Sequence, residues 1–292
     1  MRTLVPDVVQ ASPGIATLGE SPVWCPLRRV LYWVDVRAPV LYALDPASGR
    51  TSHWALPEIV GGVTLATHGL VLALRSGLFR FDPDDGGLEP LLALEPPSAD
   101  NRLNDVKCDR AGRLWVGTMR DFGAATTGTL YRVAHGVATA MLAPLTIPNG
   151  PCWSPDGATF YFADTADETI RAYAFDAARG ELSAVRTLVA RGTLPGRPDG
   201  ATVDAEGFVW SARYGGGGVA RIDPDGAVER FLRLPVTQVS SVMFGGADLD
   251  VLYLTTSRQK LDAATLAREP LAGALLALDP RVRGLPEHRF AG

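Results

Sequence analysis

Residues 30–49 read VLYWVDVRAPVLYALDPASG: an apolar run, a short connection through Pro39, a second apolar run, then Asp-Pro and Ser-Gly. Runs of this length, rich in Val, Leu, Tyr and Trp and bounded by turn residues, are the signature of a β-hairpin. The unit recurs along the chain as LVLALRSGLFRFDPDDG (70–86), as RLWVGTM (113–119) followed by GTLYRVA (128–134), and as TFYFADTADETIRAYAFDAARG (159–180). It returns as FVWSARYGGGGVARIDPDG (208–226) and as VLYLTTS (251–257) followed by GALLALDP (273–280). The first strands of these hairpins centre near Trp33, Val71, Trp115, Tyr161, Trp210 and Tyr253, at intervals of 38, 44, 46, 49 and 43 residues. A period in the forties made of alternating apolar strands matches a four-stranded propeller blade. Six such units use nearly all of the chain. They predict an all-β, six-bladed β-propeller in one domain spanning residues 1–292, with two β-sandwiches as the structural alternative. Ring closure predicts that the segment Asp7–Leu18 adds an outer strand to the blade built from the C-terminal repeat, covering an edge that would otherwise pair with other chains.

Composition agrees with that architecture and removes several others. The 292 residues include 31 Gly and 22 Pro, more punctuation than a helical bundle tolerates. Hydrophobic residues make up 47%, enough for a core, which excludes disorder. The formal charge of −4 argues against nucleic acid as the main partner. No apolar run is long enough for a membrane helix, and Pro6 and Asp7 interrupt the place where a signal peptide would need its apolar stretch. Cys25, Cys108 and Cys152 are an odd set without a Cys-x-x-Cys pair, so neither a disulfide framework nor a zinc finger is expected. These features predict a cytoplasmic protein without membrane or nucleic-acid partners, monomeric or weakly self-associating.

A second periodicity lies in the polar residues. Glu20 precedes Tyr32 by 12 positions, Asn104 precedes Trp115 by 11, Asn149 precedes Tyr161 by 12, and Asp199 precedes Trp210 by 11. In a propeller, residues in the same phase occupy equivalent places around the axis. If these lie where each innermost strand begins, two carboxylates and two amides converge on one mouth of the central channel. Carboxylates brought together repel, and a bound divalent cation removes the conflict. An all-oxygen donor set suits calcium, magnesium or manganese, with iron(II) and zinc also compatible. The plainer alternative is that Asn149-Gly150 and Asp199-Gly200 are ordinary turn dipeptides.

Other signals carry less. His53, His68, His135 and His288 show no metal-binding spacing, and Gly215–Gly218 lacks the Lys-Ser/Thr of a phosphate loop. Ser154 and Ser240 lack a nucleophile elbow. The tryptophans read mainly as core, with Trp24 and Tyr214 the aromatic residues most suited to lining a pocket.

The segments GESPVW (19–24), NRLNDVKCDRAGRLWVGTM (101–119), PNGPCWSPDGATFYFADT (148–165) and RPDGATVDAEGFVWSARYGGG (197–217) resemble the senescence marker protein/regucalcin/gluconolactonase family. LDAATLAREPLAGALLAL (261–278) is most similar to the bacterial lactonases of pentose oxidation, of xylonolactonase and arabinonolactonase type. The resemblance runs over nearly the full length. It implies a six-bladed propeller with one divalent metal on its axis, held by Glu20, Asn149 and Asp199. It places substrate contacts on Arg102 and Asn104, and it keeps Asp105 after that Asn. Two departures stand out. After Gly117-Thr118-Met119, where some members carry acidic sugar contacts, the chain reads Arg120-Asp121-Phe122, leaving Asp121 as the candidate replacement. Ser21 stands where glycine is common, a change expected to be neutral.

The implied reaction is metal-dependent hydrolysis of a sugar aldonolactone, a pentono- or hexonolactone, to the aldonic acid. The cation would act as Lewis acid and Asp199 as general base. The alternative function is that of a calcium-binding regulatory protein of regucalcin type. An interaction propeller and a paraoxonase-like esterase are further possibilities on the same architecture.

Overall fold

The computed structural model describes residues 1–95, 100–123 and 125–292. Six sheets are arranged as blades, and in the first four the strands are antiparallel and follow one another in chain order outward from the centre. The innermost strands are Gly19–Cys25, Val60–Leu65, Asn101–Cys108, Pro148–Trp153, Arg197–Val203 and Val239–Gly245, in blades one to six. Each packs against the innermost strand of the next blade, and the sixth packs against the first, so the ring closes. The second strands are Val30–Asp35, Leu70–Leu74, Leu114–Arg120, Thr159–Asp164, Val209–Tyr214 and Val251–Thr256. They contain the aromatic or apolar centres that set the sequence period.

The sixth blade has the order Val9–Ile15, Ala274–Leu278, Val251–Thr256, Val239–Gly245, so its outermost strand comes from the other end of the chain. A feature absent from the sequence reading is Arg2–Leu4, which runs parallel to Val228–Arg233 as a fifth strand on the fifth blade.

The core is divided rather than single. One apolar cluster fills each of the six gaps between neighbouring blades. Trp115 and Trp210 are fully buried in two of these. Trp24 lies in the core, buried in the cluster with Leu31, Tyr253 and Leu275 between the first and sixth blades. Strand alternation explains this. Trp24 follows Val23 by one residue, and an odd step turns a side chain to the opposite face.

Two blades are stapled by the same device. Asp109 and Asp204 each use one carboxylate oxygen to accept backbone N–H groups of the following turn, and the other to accept the indole N–H of Trp115 (3.0 Å) or Trp210 (2.8 Å). An arginine Nε, from Arg113 or Arg221, completes each group at 2.7 Å.

The lower mouth of the channel, where the innermost strands end, is crossed by the C-terminal segment. Gly284 bridges Asp204, and Phe290 bridges Ala66. Inside, Lys107 Nζ donates to the Ala201 carbonyl (3.0 Å) and pairs with Glu287 (3.3 Å). The space left among Ser21, Asp105, Lys107, Ser241 and Glu287 is about 10 Å³, room for no more than one water. Among the described residues, no helix is long and apolar enough to cross a membrane.

Candidate functional site

Every innermost strand breaks register with its neighbour near its start. The irregularities fall between Glu20 and Val23, Val60 and Gly62, Leu103 and Val106, Asn149 and Cys152, Pro198 and Ala201, and Val239 and Ser241. A bulge inserts residues that the partner strand does not match and re-aims the side chains beside it. Glu20, Asn104, Asn149 and Asp199 all sit at these bulges. They therefore belong to strands, and the reading of Asn149-Gly150 and Asp199-Gly200 as plain turns does not hold. The glycines have a separate reason. Gly150 has φ +62°, and a Cβ on Gly200 would lie 2.0 Å from the Ser241 hydroxyl of the next blade. At the equivalent bulge, Ser21 takes φ +50° without being glycine. Its hydroxyl accepts the Val63 N–H at 3.0 Å and donates to the Val63 carbonyl at 3.1 Å, tying the first blade to the second. The exchange from glycine thus adds a cross-blade bond at a strained position.

Burial and nearby carboxylates act on both Glu20 and Asp199. Burial first, then the charges of Asp199 and Asp105, push the Glu20 carboxyl well above its ordinary range, although Glu20 keeps some access to the channel. Burial and Asp105 do the same to Asp199, with Arg102 and Arg213 opposing. Among the described residues, no side chain donates a hydrogen bond to either group. Two such carboxylates, at a site with one amide oxygen, are chemically suited to a divalent cation. No cluster of three or more His, Cys, Asp or Glu side chains occurs among the described residues; only two members of the expected ligand set are of those types.

The third expected ligand is oriented by a relay. The Thr165 hydroxyl donates to the Pro198 carbonyl (2.6 Å) and accepts from Asn149 Nδ2 (2.8 Å), which fixes the amide with Oδ1 turned away from it. Asn104 Nδ2 donates to that Oδ1 (2.8 Å) and to the Pro148 carbonyl (2.9 Å), so both its amide hydrogens are taken. Asn104 Oδ1 accepts from Arg102 Nη1 (2.7 Å). Arg102 is 4% exposed and also donates to the Leu103 carbonyl through Nη1 and to Asp121 through Nε. Its Nη2 has no protein partner among the described residues.

Asp121 is brought to the site by Arg102 and Arg37, which reach one oxygen at 3.0 and 2.7 Å. Its side chain is 2% exposed, and its other oxygen faces Arg75 at 3.9 Å. Its geometry is that of an anchor for guanidinium groups. Ala124, in the loop after it, lies outside the described residues. Tyr214 stands at the mouth, its hydroxyl donating to Gln238 Oε1 (2.9 Å), with Asp199 and Glu20 among the charges acting on it.

Sequence reasoning passed over Arg37, Arg75, Thr165 and Arg213. Arg213 is buried with Nη1 unpartnered, and burial lowers it to about 10. The missed signal was a second phase. Arg75, Asp121, Thr165 and Ser257 each directly follow a second strand, and Arg37 follows one by two residues.

Comparison with known proteins adds lineage to this geometry. Residues 18–258 match the family described as SMP-30/Gluconolactonase/LRE-like region. A 6-deoxy-6-sulfogluconolactonase of Pseudomonas putida is 40% identical over 95% of this chain and 96% of its own. A pentonolactonase of Haloferax volcanii is 37% identical over 93% of this chain and 94% of its own. The crystal structure of a calcium-binding protein, regucalcin, from Agrobacterium tumefaciens superposes with a TM-score of 0.95 at 31% identity, covering 99% of both chains.

Proposed function

The chain belongs to the SMP-30/gluconolactonase/LRE-like family, and from that premise we propose that it is a hydrolase that opens a sugar aldonolactone to the aldonic acid. The observation that carries this reading is the set of bulges that brings Glu20, Asn149 and Asp199 from three blades to one end of the channel. The names of the relatives, sugar lactonases at 40% and 37% identity, support the reaction class.

Glu20, Asn149 Oδ1 and Asp199 would hold one divalent cation. When bound, it supplies Lewis-acid polarisation of the lactone carbonyl and offsets charge on the developing oxyanion. The remaining work falls to the chain. Asp199 has two oxygens, and the one turned to the substrate accepts the proton of the attacking water. Arg102 Nη2, the unassigned donor of an otherwise saturated guanidinium, binds the ester oxygen or a ring hydroxyl. Asn104 orients Asn149 and Arg102, and Asp121 holds Arg102 in place. Addition of water to the carbonyl, cleavage of the ring C–O bond and return of the proton from Asp199 to the leaving alkoxide yield the hydroxy acid and balance the reaction.

The test is a panel of xylono-, arabinono-, galactono- and gluconolactone, followed by pH-stat with a series of divalent cations, for the parent and for Asp199→Asn. We expect turnover that chelation removes and metal restores. We expect Asp199→Asn to lose at least ~10²-fold in kcat, with its unfolding transition retained. Metal binding without turnover of any lactone would favour the calcium-binding regulatory role. Parental rates in Asp199→Asn would remove it as the base.

A further inference from the structure

Strands in each blade alternate in direction, so the ends of the second strands lie on the same face as the starts of the innermost strands, the face of Glu20 and Asp199. Tyr214 ends the second strand of the fifth blade and pairs with Arg197, two residues before Asp199. Trp210 and Ala212, at even steps before it, face the gap between the fifth and sixth blades. Tyr214 reaches beyond that gap. Its ring packs on the apolar cluster of Leu18, Val36 and Val60, from the first and second blades. The sixth blade stands between the fifth and the first in the ring, and the side chain passes over its start.

The hydroxyl is held where it arrives. It donates to Gln238 Oε1 (2.9 Å) and lies 3.4 Å from Ser257 Oγ, which itself donates to the Thr17 carbonyl (3.2 Å). Gln238 is fixed through its backbone, which bridges Tyr214 and accepts from the Ser257 N–H (2.9 Å). Gln259 acts on the same hydroxyl, while its Oε1 accepts from Arg37 Nε (2.6 Å). Burial pushes the Tyr214 phenol up, the Ser257 hydroxyl opposes, and the charges of Asp199 and Glu20 add to the rise, so both site carboxylates are near it.

With its hydrogen committed to Gln238, Tyr214 Oη offers only acceptor capacity. Gln238 Nε2 brings donors beside it and has no protein partner among the described residues; both side chains are half-buried rather than sealed. An acceptor and a donor side by side, on a ring clamped by packing, match one hydroxyl group, which donates and accepts at once. The third and sixth blades face each other across a ring of six, so this pair stands opposite Arg102. Resting on the lactonase reading above, we propose that Tyr214 Oη and Gln238 Nε2 form a subsite for one hydroxyl of the lactone, across the channel mouth from Arg102, and that this pair makes the enzyme select hydroxylated lactones. The substrate hydroxyl donates to Tyr214 Oη and accepts from Gln238 Nε2. A lactone without that hydroxyl displaces water from both groups and leaves them unpaired, which is the origin of the discrimination.

The experiment measures kcat/KM of the metal-loaded enzyme for the best substrate of the lactone panel and for the unsubstituted lactone of the same ring size, in the parent, Tyr214→Phe and Gln238→Met. The hydroxylated-to-unsubstituted ratio should be about tenfold or more in the parent and should fall about fivefold to tenfold in either variant, the equivalent of one hydrogen bond whose partner is left unpaired. The double variant should lose little more than either single one, because both groups serve the same hydroxyl. Monodeoxy lactones identify that hydroxyl: its removal should cost the parent what the substitutions cost, and the variants should then lose nothing further. Cation affinity by calorimetry should stay at the parental value, since neither residue is a ligand. A ratio unchanged in either variant, with both lactones slowed alike, or a loss of cation affinity marks a structural role and overturns the proposal while leaving lactone hydrolysis intact. Turnover of neither lactone by the parent overturns the hydrolase reading and this inference with it.

Discussion

Replacing Asp121 by alanine tests how the site is held together. In the folded protein its carboxylate is almost inaccessible and accepts from Arg102 and Arg37. At about 4 Å and an effective dielectric near 20, each unit charge pair is worth about 4 kcal/mol before desolvation is subtracted. The truncation leaves two cations of unequal exposure. Arg37 can recruit water. Arg102, at 4% exposure, cannot do so freely, but it retains the Leu103 carbonyl and Asn104 Oδ1 as acceptors. The cost should therefore fall at the lower end of the ~3–5 kcal/mol seen when one partner of a buried pair is removed. About 3 kcal/mol corresponds to a fall in unfolding temperature of about 6 °C for a chain of this size. Asp121→Asn, which keeps one acceptor oxygen, should lose about half as much. Catalytic efficiency should drop ~10²-fold in the alanine variant because Arg102 loses its fixed orientation. The assay pairs thermal unfolding by circular dichroism with lactone kinetics. An unfolding temperature within about 1 °C of the parent, with activity lost, would refute the anchoring role and return Asp121 to direct contact with the sugar.

The carboxyls of Glu20 and Asp199 are raised in the fold, so their contribution to stability is full below their unfolded values and is lost as pH rises through their folded ones. Metal-free protein should lose part of its stability for this reason as pH rises above the ordinary carboxylate range, and the gain in unfolding temperature from a divalent cation should grow as it does; a pH-independent gain would contradict the assignment. Asp204→Ala removes the acceptor of Trp210, Arg221 and two backbone N–H groups in a fully buried position. It should cost at least ~3 kcal/mol by denaturant titration, and a loss under about 1 kcal/mol would show that the staple is dispensable.

The six blades were legible because each second strand has an apolar or aromatic centre at a nearly constant interval, Trp33 to Tyr253. Hairpin lengths vary little, so the same offset also located Glu20, Asn104, Asn149 and Asp199. The bulges that aim them were not legible, since a bulge shows only in the pairing of two strands. Trp24 reads as core and is core; only its facing, which depends on a register set at Glu20 and Val23, left pocket lining open as a second possibility. Asp121 was found by its place in a motif, but its partners come from two other blades, and no local pattern in Arg37 or Arg75 announces a shared carboxylate. The strand Arg2–Leu4 pairs with residues more than two hundred positions away and is too short and exposed to carry a signal.

Among the described residues, the C-terminal segment and the Lys107–Glu287 pair fill one end of the channel. Substrate and product must then share a single doorway. The open-chain acid carries a carboxylate that the lactone lacks, and it leaves by the route the next lactone takes. Accumulated acid should therefore act as a competitive inhibitor, raising the apparent KM without lowering the rate at saturation.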